Sequence, residues 1–141
     1  DAECIVLRDN VDGVRTVIDY EDDENTNEMR DNLRTINNCL AKHWPDLRIK
    51  DEDYTALQKR LMFDEDKQPI DFTKRILTRI FSNGRFDQGG RFYRAWWHNV
   101  PSEYRKFITI DGKRTSEYDY RRLNPHMVYF LCGKDMGSED A

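Results

Sequence analysis

Two Asp-Gly dipeptides, Asp12-Gly13 and Asp111-Gly112, stand near the two ends of the chain, each between short runs of β-branched and aromatic residues. A two-residue hairpin loop needs positive φ at both positions, which Asp and Gly adopt more readily than most residues. The dipeptides therefore predict hairpins near 3–20 and 106–119. The first sets Glu3–Arg8 against Val14–Tyr20, and the second sets Phe107–Ile110 against Lys113–Asp119.

The chain between them reads as helical. Met29, Leu33, Ile36 and Leu40 recur at helical spacing and predict a helix over about 26–43, opened by Asn25 with Glu28 and closed before Pro45. Asp51-Glu52-Asp53 opens a second helix carrying Tyr54, Leu57 and Leu61. The polar stretch 64–69 comes next as the linker candidate. Phe72, Ile76, Leu77 and Ile80 predict a third helix, with Arg75 and Arg79 on another face, Asp71 or Thr73 at its start and Asn83-Gly84 at its end. Gly84, Gly89 and Gly90 mark a flexible loop. Asn124-Pro125 begins a last helix that Gly133 stops. The expected fold class is α+β: a small antiparallel sheet built from the two hairpins and packed with three to four helices.

Composition sets the remaining bounds. At 141 residues, with 38% apolar and 12% aromatic side chains, the chain can bury one real core. A charged fraction of 35% makes that core small under a heavily solvated surface. The formal charge is −4, but it is uneven: residues 1–70 hold 18 acidic against 10 basic side chains, and 71–141 hold 9 against 13. An acidic hairpin-plus-helices region, 1–66, thus precedes a basic region, 67–141, within one compact domain. No apolar run reaches the roughly 20 residues of a membrane span, and the acidic start lacks the pattern of a signal peptide. Cys4, Cys39 and Cys132 are odd in number and far apart, which predicts reduced thiols in a cytoplasmic protein. The start at Asp1 rather than Met leads to the expectation of a fragment of a longer polypeptide.

The least generic stretch is Gly89 to Tyr129. It contains Gly90-Arg91, then Asn99-Val100-Pro101, then Arg105, then the second hairpin, then Asp119-Tyr120-Arg121-Arg122-Leu123-Asn124-Pro125. This order resembles the palm segment around motif A of family A DNA polymerases. It is especially similar to a variant in phage and mobile-element proteins that carries Asp-Tyr-Ser-x-Leu-His-Pro. The resemblance covers roughly residues 85–131.

The resemblance implies a fragment of a template-dependent nucleotidyltransferase. Asp119 would be the catalytic carboxylate on Mg²⁺, and the carbonyl of Tyr120 a second contact to that metal. Arg91 would approach the nucleic-acid backbone, and Arg105 would lie near it or support the hairpin. Arg94, Arg121, Arg122, Trp96 and Trp97 complete the expected nucleic-acid-binding set, because arginine forks suit phosphate and indoles can stack on bases. Two positions depart from the family pattern: Arg121 stands where the family has Ser, and Asn124 where many members have Glu. No His-Asp-Glu series follows Asp119, so a two-metal site cannot be assembled from these residues and the isolated chain is expected to be inactive.

Each of these residues also has a plainer reading. Asp119 can cap the following helix or pair with Arg121 or Arg122. Phe92, Tyr93, Trp96 and Trp97 can anchor a core. Arg75, Arg79, Arg85, Arg91 and Arg94 form either a phosphate-tracking stripe or a solvated face. His98 and His126 lack a second ligand at metal spacing, and Gly89-Gly90 fits no phosphate-cradling pattern. The rival functions are a non-enzymatic nucleic-acid-binding module of a phage or mobile element, and a protein-interaction domain that docks through the acidic run around Asp19 to Glu24.

Overall fold

In a computed structural model, residues 3–118 are described. Asp119, Tyr120, Arg121, Arg122 and the predicted helix at Asn124-Pro125 lie outside the described residues.

Both Asp-Gly hairpins form. Strand β1 (Ile5–Val11) pairs antiparallel with β2 (Val14–Ile18), and Asp12 and Gly13 take φ of 52° and 79°. At the other end β6 (Ile108–Ile110) pairs with β7 (Lys113–Arg114) around Asp111 and Gly112, at φ 53° and 76°. The second hairpin is shorter than predicted, ending at Arg114. It also acquires a third strand, because β3 (Pro45–Leu47) pairs antiparallel with β6.

Helix α1 runs Glu24–Leu40, two residues earlier than its pattern suggested. Its N-cap is Asp23 rather than Asn25. The Asp23 carboxylate accepts from the Thr26 N–H at 2.8 Å, and the Thr26 hydroxyl accepts from the Asp23 N–H at 2.9 Å, a reciprocal pair that satisfies two orphan donors. Helix α2 runs Asp51–Met62, with three acids in its first turn and two cations in its last, matching the helix dipole at both ends.

The predicted third helix is absent. Its apolar residues instead form β4 (Thr78–Phe81), which pairs parallel with β1 and antiparallel with β5 (Gly89–Tyr93), giving a mixed sheet of order β2-β1-β4-β5. The physical reason lies at the two ends of residues 70–77, where side chains of the two helices claim the backbone groups of Ile70 and Leu77. Asn37 of α1 accepts from the Leu77 N–H at 2.9 Å and donates to the Leu77 carbonyl at 3.0 Å. Gln58 of α2 does the same at Ile70, at 2.8 and 3.0 Å. Asp71 closes an Asx turn onto Thr73 instead of capping a helix. Each carboxamide thus acts as a one-residue strand, and the local helical preference loses to these long-range partners.

Of the three glycines read as a flexible loop, Gly89 and Gly90 belong to β5, and Gly84 stays in the turn after β4. Gly90 has φ 78°, and a Cβ there would lie 2.7 Å from the Phe81 ring, so only glycine lets this edge strand close against β4. After β5 the chain makes a 3₁₀ turn (Trp96–Asn99) and a short helix α3 (Ser102–Arg105).

Two apolar clusters result. One packs Ile5, Leu7 and Phe81 against Leu33 of α1, and the other packs Leu57 and Leu61 of α2 against Leu47, Trp96 and Val100. Trp97 packs against both. Arg30, only 8% exposed, ties the first cluster's rim by donating to Glu3, Asp22, Asn27 and Tyr20.

Replacing Asn37 by Leu should destabilise the chain by about 2 kcal/mol, the cost of leaving two backbone groups without partners. Urea unfolding checks it, and a loss below about 0.5 kcal/mol would show that water satisfies Leu77 equally well.

Candidate nucleic-acid interface

The two faces of the four-stranded sheet differ. Residues directly opposite in a ladder share a face, so Ile5, Leu7, Ile18 and Phe81 line the side packed on α1. The other side carries Val6, Arg8, Thr78, Ile80, Arg91 and Tyr93. Arg91 stands opposite Ile80, and Tyr93 opposite Thr78.

On that second face lies an open cleft of about 950 Å³. Thr78 and Ile80 contribute its floor. Lys67, Lys74 and Arg75 come from the chain before β4, Arg8 from β1, and Phe92, Tyr93 and Arg94 from the edge strand and the residue after it. The acids at this cleft are Glu3 and Asp66. Glu3 is already engaged: burial raises its pKa, but the Ile5 N–H and the Arg30 guanidinium outweigh that and hold the carboxyl below its ordinary value. None of Arg8, Lys67, Lys74, Arg91 or Arg94 has a carboxylate partner among the described residues. Arg8, Lys67, Lys74 and Arg94 thus leave the cleft net positive, whereas Arg75 is engaged by the His43 carbonyl and the Trp44 ring, and Arg91 stands on the same sheet face outside the cleft lining.

Arg94 has a second distinction. Its φ is 76°, whereas the other non-glycine residues with positive φ are Asp12, Asn83 and Asp111, types that tolerate this region. A long side chain held there costs roughly 1–2 kcal/mol. The chain is pinned on its far side by the Trp96 N–H, which donates to the Lys74 carbonyl at 2.8 Å. That bond also fixes one bank of the cleft to the other.

The sequence-predicted residues separate. Arg91 and Arg94 are exposed, as are Phe92 and Tyr93 at 44% each; Tyr93 shares the sheet face of Arg91, whereas the register of Phe92 with Arg79 puts it on the opposite face. Trp96 does not join them: at 1% exposure it fills the second core, tilted against Phe72 and edge-to-face with Trp97, the core-anchoring alternative of the sequence reading. Trp97 is half-buried at the junction of the two cores. The Arg105 guanidinium donates to the Val100 carbonyl at 3.4 Å and to Glu117 at 3.1 Å, which ties α3 to the chain after β7. Arg75 lies 4.6 Å over the Trp44 ring and donates to the His43 carbonyl, and Arg79 donates to the Gly90 carbonyl while covering the Phe81 ring. The arginine series 75, 79, 85, 91 and 94 is thus no single stripe.

Arg8, Lys67 and Lys74 were not singled out by sequence reasoning. Nothing local marks them, because they reach the cleft only through the β1–β4 pairing and the clamped segment.

The metal expectation rests on Asp119 and Tyr120, outside the described residues. Among the described residues no group of three His, Cys, Asp or Glu side chains is placed to hold a metal ion. The acidic run around Asp19 to Glu24 is partly structural, since Asp22 pairs with Arg30 and Asp23 caps α1. Cys4 is buried and Cys39 exposed, both as free thiols. No helix among the described residues is long and apolar enough to cross a membrane.

In comparison with known proteins, the chain matches no family model, no curated protein and no solved structure.

His98 lines the cleft from the 3₁₀ turn, and burial lowers its pKa from the ordinary 6.5. A depressed histidine favours the neutral form when folded, so stability is full above the unfolded value and falls as pH drops below about 6.5. Asp111, held low by His43 and the Trp44 N–H, and Asp22, held low by Arg30, add a second loss in the carboxylate range. Thermal unfolding followed from pH 8 to 3 should show both stages. His98→Asn should remove the upper stage alone; an unchanged profile in that variant would exclude His98 as its source.

Proposed function

We propose that the chain is the nucleic-acid-binding part of a family A-like, template-dependent nucleotidyltransferase from a phage or mobile element, and that the basic cleft receives the phosphate backbone. The observation that carries this reading is the position of Arg91. The resemblance turns this residue toward the nucleic-acid backbone, and it shares a sheet face with the floor of a cleft rimmed by Arg8, Lys67, Lys74 and Arg94. Unpaired arginines and lysines along one groove attract phosphates by a sequence-independent, salt-screened interaction.

On this reading Asp119 and the Tyr120 carbonyl hold Mg²⁺, a hard cation that prefers such oxygen ligands. The second carboxylate of a two-metal reaction is not supplied by these 141 residues. The chain by itself therefore binds without extending a primer. The alternative reading, a binding module with no chemistry at all, shares the cleft and differs only at Asp119.

Fluorescence anisotropy with a labelled oligonucleotide at several salt concentrations tests the first part. Affinity should fall linearly on a log–log plot, and Arg91→Ala should flatten the slope by about one. Arg94→Gly should weaken binding while leaving unfolding stability equal or up to about 1 kcal/mol higher, since glycine relieves the positive φ. Salt-independent affinity rejects the reading. Asp119 is tested with Mn²⁺ in place of Mg²⁺: paramagnetic broadening of NMR signals should centre on Asp119 and vanish in Asp119→Asn, and broadening that survives the substitution favours the module without chemistry.

A further inference from the structure

We infer that the cleft takes single-stranded rather than duplex nucleic acid, with one base lying against Tyr93 and the adjoining phosphates along Arg94 and Lys74. This rests on the reading that the cleft binds nucleic acid, and it adds the strand state and the base-contacting residue.

The cleft combines two surfaces of different chemistry. Its rim is cationic, but Ile76 is 56% exposed and Tyr93 is 44% exposed, above a floor to which the buried Ile80 contributes. A duplex turns its phosphates outward and keeps its base faces stacked inside, so it meets the cations and leaves the apolar surface wet. A single strand presents both phosphates and unstacked base faces. Grooves that track a backbone with cations while aromatic rings take bases are the usual design for single strands.

The ring is placed for this role. Tyr93 lies on the edge strand β5, opposite Thr78 on the cleft side, and the next residue is the strained Arg94. Lys74 stands on the facing bank, fixed there because its carbonyl accepts from the Trp96 N–H. The stacking ring and two phosphate-seeking cations are thus held by backbone pairing. The ring can be exchanged without touching the core, since it is half solvent-exposed.

A free nucleotide offers the same base and phosphate chemistry, and a cleft of about 950 Å³ is large enough for one. The test therefore has three ligand arms on the full 141-residue chain at low salt: labelled oligo-dT, a hairpin duplex of equal charge, and a nucleoside triphosphate as competitor. Oligo-dT should bind at least tenfold tighter than the duplex, and the triphosphate should not displace it. Tyr93→Ala should lose about tenfold in affinity, within the range for one stacked base, while Tyr93→Phe keeps it. Equal or tighter duplex binding overturns the inference, as does unchanged affinity in Tyr93→Ala or displacement of oligo-dT by the triphosphate at comparable concentration. Failure of all three ligands to bind overturns the broader reading of the cleft instead.

Discussion

The segment from Ile70 to Leu77 is held by two carboxamides, and most of the architecture depends on that restraint. Asn37 reaches it from α1 and Gln58 from α2, each satisfying both the N–H and the carbonyl of one residue. The backbone groups at these two positions are therefore unavailable to a helical ladder, although the side-chain spacing would suit one. Immediately after Leu77 the chain enters the sheet as β4, beside β1. The residues between the two clamps become a bank of the cleft. The same two contacts that forbid a helix thus create the surface on which Lys74 and Arg75 stand.

The rest of the sheet depends on this pairing. With β4 in place, the edge strand β5 can dock, with glycine at position 90 because the Phe81 ring leaves no room for a Cβ. Trp96 and Trp97 then turn inward, one into the second cluster and the other between the two clusters. The aromatic run is divided by this turn. Phe92 and Tyr93 remain in the strand with exposed rings, while the tryptophans become packing, as large aromatics with buried neighbours usually do.

This division explains which features were legible in the sequence. The hairpins were legible because Asp-Gly encodes positive φ locally, and α1 and α2 because their apolar periodicity and terminal charges agree. The third helix was misread because Phe72, Ile76 and Ile80 satisfy helical spacing while the deciding partners, Asn37 and Gln58, are 40 and 12 residues distant from the backbone they hold. The parallel β1–β4 pair is equally non-local, so the first hairpin sits in a mixed sheet, while the second sits in a separate antiparallel one within the expected α+β class. Of the candidate interface, Arg91 and Arg94 were legible from composition and motif. Arg8, Lys67 and Lys74 were not, since topology alone gathers them.

Arg94 gives the strongest physical reason to regard the cleft as more than a solvated groove. Aspartate and asparagine occupy the other non-glycine positive-φ positions among the described residues, all at turns, and a glycine follows each of the three. At position 94 glycine would satisfy the same geometry with less strain, and no carboxylate among the described residues rewards the guanidinium. Strain of this kind persists where the surrounding fold over-determines it, here between the β5 ladder and the Trp96–Lys74 hydrogen bond. The fold dictates the dihedral but not the side chain. A cation held in spite of that strain, beside an exposed tyrosine and across from Lys74, is what the proposed phosphate-binding role would use, and the Arg94 side chain is exposed to serve it.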